Sequence, residues 1–379
     1  MLNRHSLRVK TMQSLFALHQ GKEANHGLCI TIITQRFAPD LNSMEVQDKE
    51  MLKEQRQVAL KLFEKEFEAG STKAEHTDPK IEKVVNEALD YYHRQTARDI
   101  ENQRKNLVTD TERIYDYYIF ALSLGVAFAE AAAADKKIQH TGFLNNLWVK
   151  GLLNSEALKK DSLRLNRHWN DKADRVRAWF RDVIRPDDTY LDSLDRKSPP
   201  LEDQRRVVMH IFKKLILGKT VINDFFEEEV LHWAEDKEIV KGMVEKTLKT
   251  YNPANNGQLG LMTLSIDWDD DKAFIEKLYD YAATLPNEHK QLIASNTRNW
   301  EVDRLPLTDR IILEMAIAEL MTFPGIPIKV TINEYIELAK GYSTPKSRTF
   351  VNGILDVMSK ALLEDGTLKT SGTGLIDNK

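Results

Sequence analysis

The chain has 379 residues and one cysteine, Cys29, so it can form no internal disulfide and no cysteine-rich zinc site. Glycine (16) and proline (11) are sparse and fall between segments of helical period. Alternating strand patterns are confined to Leu28–Ile33 and Ile326–Ile332, and an all-α fold is expected. No charge sign dominates. With 54 basic and 58 acidic side chains the formal net charge is -4, which excludes a uniformly basic coat and leaves only local basic patches. The longest apolar stretch free of charge, Tyr117 to Ala129, falls short of the roughly 20 residues a spanning helix needs. Thr11-Met12-Gln13-Ser14 interrupts any apolar leader segment, so no membrane role is expected and the cytoplasm is the expected compartment. Gly-rich phosphate loops, His-Glu-x-x-His and Ser/His/Asp spacings are all missing, which points away from an enzyme. What is present is 42% hydrophobic and 30% charged residues, enough for a folded core rather than a disordered chain.

Residues 1–20 read as one helix, with Val9, Met12, Phe16 and His19 on one stripe and Gly21 placed to stop it. Polar helical patterns cover Glu50–Ala69 and Lys80–Leu107, broken by Gly70-Ser71-Thr72 and Thr77-Asp78-Pro79; solvated, mobile helices are expected there. Ile114–Ala134 is apolar and Ala-rich, as a buried helix requires. From about residue 143 a repeat emerges. Trp169, Trp233 and Trp300 are each preceded by His or Asn, and each is followed within three residues by an acid: Asp171, Glu235 and Asp303. Apolar residues follow each Trp at helical spacing: Val176, Phe180, Ile184; Val240, Val244, Leu248; Leu307, Ile311, Met315. An aliphatic residue precedes each by the same interval: Leu147, Ile211, Leu278. Each copy reads as about three helices, with its Trp fixing the second against the third. Thr331 and Glu334 have the spacing of a capping box opening a helix that Gly341 ends, and Ser343 or Thr344 with Pro345 opens the last helix.

Two stretches carry cations and no acid. Residues 1–22 hold Arg4, Arg8, Lys10 and Lys22; residues 338–355 hold Lys340, Lys346 and Arg348, with Phe350 close behind. A basic helix face neutralises phosphates, and an aromatic beside it stacks on an unpaired base. The competing explanation is that both are ordinary solvated helix ends and that Phe350 is core. Asp267 to Asp271 lacks the Gly and bidentate Glu of a calcium loop and suits a helix start instead. Glu229-x-x-His232 has the spacing of a di-iron ligand pair, but no second pair on a helix accompanies it. Cys29 lies in an apolar run without an adjacent His or Lys, as an inert thiol would. Neither metal nor cofactor is expected.

Trp300-Glu301-Val302-Asp303-Arg304, Thr308 to Leu313 and Ala318-Glu319-Leu320 resemble the C-terminal half of NusB transcription antitermination factors. So do Ile326 to Glu334, Glu337 to Lys340 and, most specifically, Ser347-Arg348-Thr349-Phe350-Val351-Asn352-Gly353-Ile354-Leu355-Asp356. Asn3-Arg4-His5, Leu7-Arg8 and Gln13-Ser14-Leu15-Phe16 are similar to the family's Arg-rich first helix, and the overall length resembles the long forms of Bacteroidetes. The resemblance implies an all-α NusB-like bundle, enlarged by the Trp-marked repeats. It divides the chain into a first helix (1–22), a helical insertion (23–110), an extension with repeats (111–266), a C-terminal domain (267–364) and a disordered tail (365–379). It implies binding to the boxA element of an rRNA leader with ribosomal protein NusE, within the RNA polymerase antitermination complex. Carried over, the RNA residues are Arg4, Arg8, Lys10, Lys346, Arg348, Phe350 and Asn352, and the NusE surface includes Phe16 and Asp309. That requires the two basic stretches to lie together. The alternative is a helical-repeat scaffold for proteins with a vestigial RNA contact; an rRNA cytosine methyltransferase is set aside for want of a cofactor domain.

Overall fold

The computed structural model describes residues 1–40, 42, 46–194, 196, 198–253, 258–297 and 305–368. Among these, all regular structure is helical, and the chain divides into two compact units. One comprises Met1–Arg4 and Thr109–Asp271; the other comprises His5–Val108 and Lys272–Lys379.

Three long helices come first: α1 (Arg4–Arg36), α2 (Lys49–Glu68) and α3 (Pro79–Ala134). Asp48 caps α2 by accepting from the amides of Glu50 and Met51, both at 3.0 Å. Gly70, with φ +69, supplies the left-handed turn after it. Asp78 then accepts from the Lys80 amide at 2.8 Å and Pro79 takes the first helical position of α3, so these breakers act as their chemistry dictates. Gly21, by contrast, stops nothing. It sits inside α1 where a Cβ would lie 3.5 Å from the Asp99 carboxylate, and its neighbour Asn25 donates to Asp99 at 2.7 Å. Beyond it Cys29, Ile33 and Phe37 recur every four residues and bury completely or nearly so, which makes Leu28–Ile33 helix rather than strand. They join Ala59 and Phe63 of α2 and Ile81, Val85 and Leu89 of α3 in one apolar cluster. The polar patterns of this region are therefore the outer faces of helices packed on a shared apolar cluster.

The unit containing Thr109–Asp271 is built around the second half of α3, where Tyr118, Ile119, Leu122, Leu124 and Phe128 are fully buried. An 18-residue window of α3 has the length and hydropathy of a membrane span, yet 67% of it is buried inside the protein, as a core helix would be. Around it run α4 (Thr141–Leu144), α5 (Leu147–Leu153), α6 (Glu156–Arg164), α7 (Ala173–Trp179), α8 (Asp188–Leu194), α9 (Leu201–His210), α10 (Thr220–Glu229) and α11 (Trp233–Thr250). Both α7 and α9 continue into π-helical turns, Phe180–Ile184 and Ile211–Ile216. Trp233 opens α11 and stacks on Phe226 of α10 at 4.5 Å, its indole donating to Asn223. Trp169 precedes α7 but stacks on Phe120 of α3 at 4.1 Å, donating to the Phe120 carbonyl. The two tryptophans thus share burial and contact with Phe226, which Trp169 meets edge-on at 6.2 Å, but each stacks on a different ring. Trp300, Asn299 and Asp303 lie outside the described residues, as does most of the expected tail.

The other unit is completed by α12 (Trp268–Ala283, from Lys272 on), α13 (Asn287–Asn296), α14 (Leu307–Thr322), α15 (Ile328–Tyr342) and α16 (Ser347–Glu364). Every residue from Ile311 to Leu320 of α14 is buried, so α14 is the spine on which the others pack. Pro327, not Thr331, precedes α15, and the Thr331 hydroxyl donates to Glu319 at 2.9 Å instead of capping. The apparent strand at Ile326–Ile332 is a turn and helix start, and α15 passes through Gly341 to end at Tyr342.

Candidate nucleic-acid interface

The two acid-free basic stretches fold into different electrostatic states. In α1, Arg8 is 2% exposed and gives Nε and Nη2 to the Glu319 carboxylate, both at 2.7 Å. Glu319 is itself fully buried and also accepts from Thr331 Oγ1 and from Tyr335 Oη at 3.0 Å. Arg8 Nη1 reaches Glu334 at 3.3 Å and its guanidinium lies over the Phe274 ring. Burial opposes its charge, but the hydrogen bonds and field of Glu319 outweigh that and hold its pKa above the ordinary value. With its donors committed in the interior, Arg8 is a packing and charge anchor of α1 rather than a surface cation. Lys10 is buried too, and Lys22 donates to the Ala283 carbonyl at 3.3 Å. Arg4 is half-exposed and paired with Asp270 and, at 3.3 Å, with Asp271. The acids at the start of α12 therefore serve a helix terminus and Arg4; Asp267 caps by accepting from the Asp270 amide at 3.1 Å.

At the start of α16 the situation is reversed. Lys340, before it, pairs with Glu337 at 3.2 Å. Lys346 and Arg348 are exposed, and neither has an acidic partner among the described residues. Asn352 is exposed one turn on, and Phe350 is half-buried. This is the positive end of the α16 dipole, so cations here add to a field already attractive to anions. Ser347 fixes the geometry: its hydroxyl is buried and donates to Asp309 Oδ2 at 2.7 Å. Asp309 is thus interior, in the first turn of α14, while Phe16 is 41% exposed on α1.

α14 carries both stretches. Arg8 binds it at Glu319, whereas His19, three turns on, meets Glu314 and Arg310, each at 3.0 Å, so α1 runs antiparallel to α14. Ser347 binds it at Asp309. The attachments of Arg8 and Ser347 are ten residues apart on α14, about 15 Å along its axis. The stretches therefore share one supporting helix, but the attachments of Arg8 and Ser347 sit toward its opposite ends and do not meet at one point. Sequence reasoning misses the buried network of Glu319, Thr331 and Tyr335; its one signal is a lone acid inside an apolar helical run, which needs a buried partner.

No group of His, Cys, Asp and Glu able to hold a metal exists among the described residues. A cavity of about 600 Å³ lies between α3, α5, α6 and α7, lined largely by Ala127, Ala131, Leu158, Trp169 and Val176. Cys29 is buried, its pKa pushed up to about 11 by desolvation.

The family model for the NusB family matches residues 254–360. The transcription antitermination protein NusB of Salinibacter ruber is 38% identical over 138 residues, 35% of this chain and 86% of that protein. The protein of the same name from Dictyoglomus thermophilum is 38% identical over 115 residues, 29% of this chain and 77% of its own. That of Chloroherpeton thalassium is 42% identical over 106 residues, 28% of this chain and 50% of its own. No solved structure matches the chain.

Proposed function

The chain belongs to the NusB family of transcription antitermination factors, a family without enzymatic activity, and from that premise we propose that it acts on rRNA operons by binding boxA-like RNA together with ribosomal protein NusE. In this reading it works in the cytoplasm as part of the antitermination complex on RNA polymerase. The observation that carries it is the start of α16, where Lys346 and Arg348 stand exposed and without acidic partners at a helix N-terminus. Phosphates are the ligand such a site fits, since charge and backbone amides point the same way. Asn352 adds a side chain able to read a base edge, and Phe350 a ring at the edge of the same turn. Arg4, Arg8 and Lys10 take a supporting part: they hold α1 in place while α16 meets RNA. Phe16, exposed on α1, is the residue offered to NusE; Asp309 acts through Ser347, by fixing where α16 begins.

A gel-shift titration with NusE present tests this. Arg348→Glu should weaken binding to boxA-like RNA about tenfold or more, since it replaces an attraction to phosphate by a repulsion. Scrambled RNA should bind less tightly than boxA-like RNA. Equal affinity for the scramble, or no loss in the variant, overturns the reading.

A further inference from the structure

The long extension holds a third acid-free basic run, separate from the N-terminal stretch and from the start of α16. Residues 204–223 contain Arg205, Arg206, Lys213, Lys214 and Lys219 and no Asp or Glu. Arg205 and Arg206 are answered locally by Glu202 and Asp203. The lysines are not answered in this way. In the π-helical turn Ile211–Ile216, Ile211, Phe212, Leu215 and Ile216 are buried, and both Lys213 and Lys214 are exposed. π-helical turns often mark functional sites because the widened turn re-aims side chains.

The end of α11 brings two more cations to the same place. Glu245 accepts from Lys213 at 2.9 Å and from Lys249 at 3.3 Å, so one carboxylate serves two elements. Lys246 beside it is exposed, donates to Met1 Sδ at 3.2 Å, and has no acidic partner among the described residues. Neither Lys214 nor Lys219 has one either. Lys213 and Lys249 therefore share one acid, and Lys214 and Lys246, next to Lys213 and Glu245 in the chain, add two exposed positive charges on a chain that is acidic overall.

We propose that this lysine face, formed by the π-helical turn after α9 and the end of α11, is a second RNA contact that takes the phosphate backbone without regard to sequence. It rests on the RNA-binding reading above and adds to it a site outside residues 254–360, the part matched by the family model. Two features favour a phosphate backbone over an acidic protein. The exposed residues from 213 to 220 are Lys213, Lys214, Gly218, Lys219 and Thr220, and those at the end of α11 are Lys246, Lys249 and Thr250. Within the basic run to residue 223 no aromatic side chain is exposed and Val221 is the one exposed aliphatic, whereas a protein interface needs several apolar anchors at its centre. The same lack leaves no platform for base stacking, so the face can neutralise phosphates and cannot read bases.

The test uses the full chain and an unstructured oligouridylate, followed by fluorescence anisotropy across a salt series. Lys214→Glu/Lys246→Glu changes two exposed residues without acidic partners, so the fold is not at stake. The slope of log affinity against log salt should become shallower by about 1.4, because each single-strand phosphate that a cation neutralises adds ~0.7 to it. Lys214→Arg/Lys246→Arg keeps the charge and should keep the slope. An unchanged slope in the Glu pair, whether or not that variant loses an acidic protein, overturns the proposal, as does failure of the unmodified chain to bind oligouridylate. Arg348→Glu on boxA-like and scrambled RNA reports separately on the α16 site, so failure of either reading is told apart from failure of the other.

Discussion

Set side by side, the N-terminal stretch of α1 and the start of α16 have the same composition and opposite fates. Both are free of acids, both carry several cations, and both are bonded to α14. On α1 the charges are answered: Arg8 by a buried glutamate, Arg4 by the aspartates of α12, Lys22 by a carbonyl. On α16 they are not. What separates the two is the sequence of the neighbours, not their own. α14 and α15 present Glu319 and Glu334 to Arg8, and the interior side of α16's first turn is closed by a neutral Ser347 that leaves Lys346 and Arg348 outside. Acid-free sequence therefore measures only local charge; availability is decided by what folds against it.

The largest effect that tests this contrast comes from Arg8→Ala. It leaves Glu319 charged, buried and short of its main partner, which should cost about 3–5 kcal/mol in urea denaturation. Arg348→Glu, despite being the larger change in charge, should move stability by about 0.5 kcal/mol or less. Similar stability losses in the two variants would erase the distinction. The pH dependence follows from the same network. Tyr335 is driven well above its usual pKa by burial and then by the Glu319 charge, and Arg8 is also raised overall. Groups raised in the folded state contribute fully below their unfolded values and lose that contribution as pH climbs past them. Stability should hold across the neutral range in this respect and fall on the alkaline side, above about pH 10 where an unfolded tyrosine ionises. Tyr335→Phe should flatten that fall.

Ser347→Ala is the intermediate case. It strips the hydroxyl from buried Asp309, whose Oδ1 already has no partner among the described residues, at a cost of about 1–3 kcal/mol. No surface charge changes, yet the first turn of α16 loses its attachment to α14. Amide exchange in residues 347–350 should speed up and affinity for boxA-like RNA should drop by less than in Arg348→Glu. If affinity holds while exchange accelerates, the position of α16 does not matter to RNA and the α16 site is weakened as an explanation.

The helices are largely legible in the sequence because periodicity and caps are local: Asp48, Gly70, Asp78 and Pro79 do what their chemistry dictates. Gly21 and Gly341 mislead because a glycine inside a helix costs only about 1 kcal/mol; at Gly21 packing against Asp99 offsets it, and at Gly341 the helix runs only one residue further. The exposed half of the candidate site, Lys346, Arg348 and Asn352, is readable as uncompensated charge on one helix. The buried half is not, since nothing around Arg8 hints at a glutamate 311 positions away. The Trp marks do not tell of partners, because stacking on Phe120 or Phe226 depends on which helix passes by.

The smallest effect is the most direct probe of availability. Asp270, exposed, and Asp271, largely covered, neutralise half-exposed Arg4, and pairs with such access to solvent are worth about 0–1 kcal/mol. Asp270→Asn/Asp271→Asn keeps the shapes and the ability to accept hydrogen bonds, so stability should change by less than about 1 kcal/mol. Arg4 would then lose the two carboxylate charges that pair with it. If what distinguishes the two stretches is whether the charge is answered, the double variant should bind boxA-like RNA more tightly by up to about tenfold, with a steeper salt dependence by ~0.7. Arg4→Ala placed on top of it should cancel the gain. A gain that survives Arg4→Ala would come from removing two negative charges in general, and the comparison would then be one of net charge rather than of a particular arginine released.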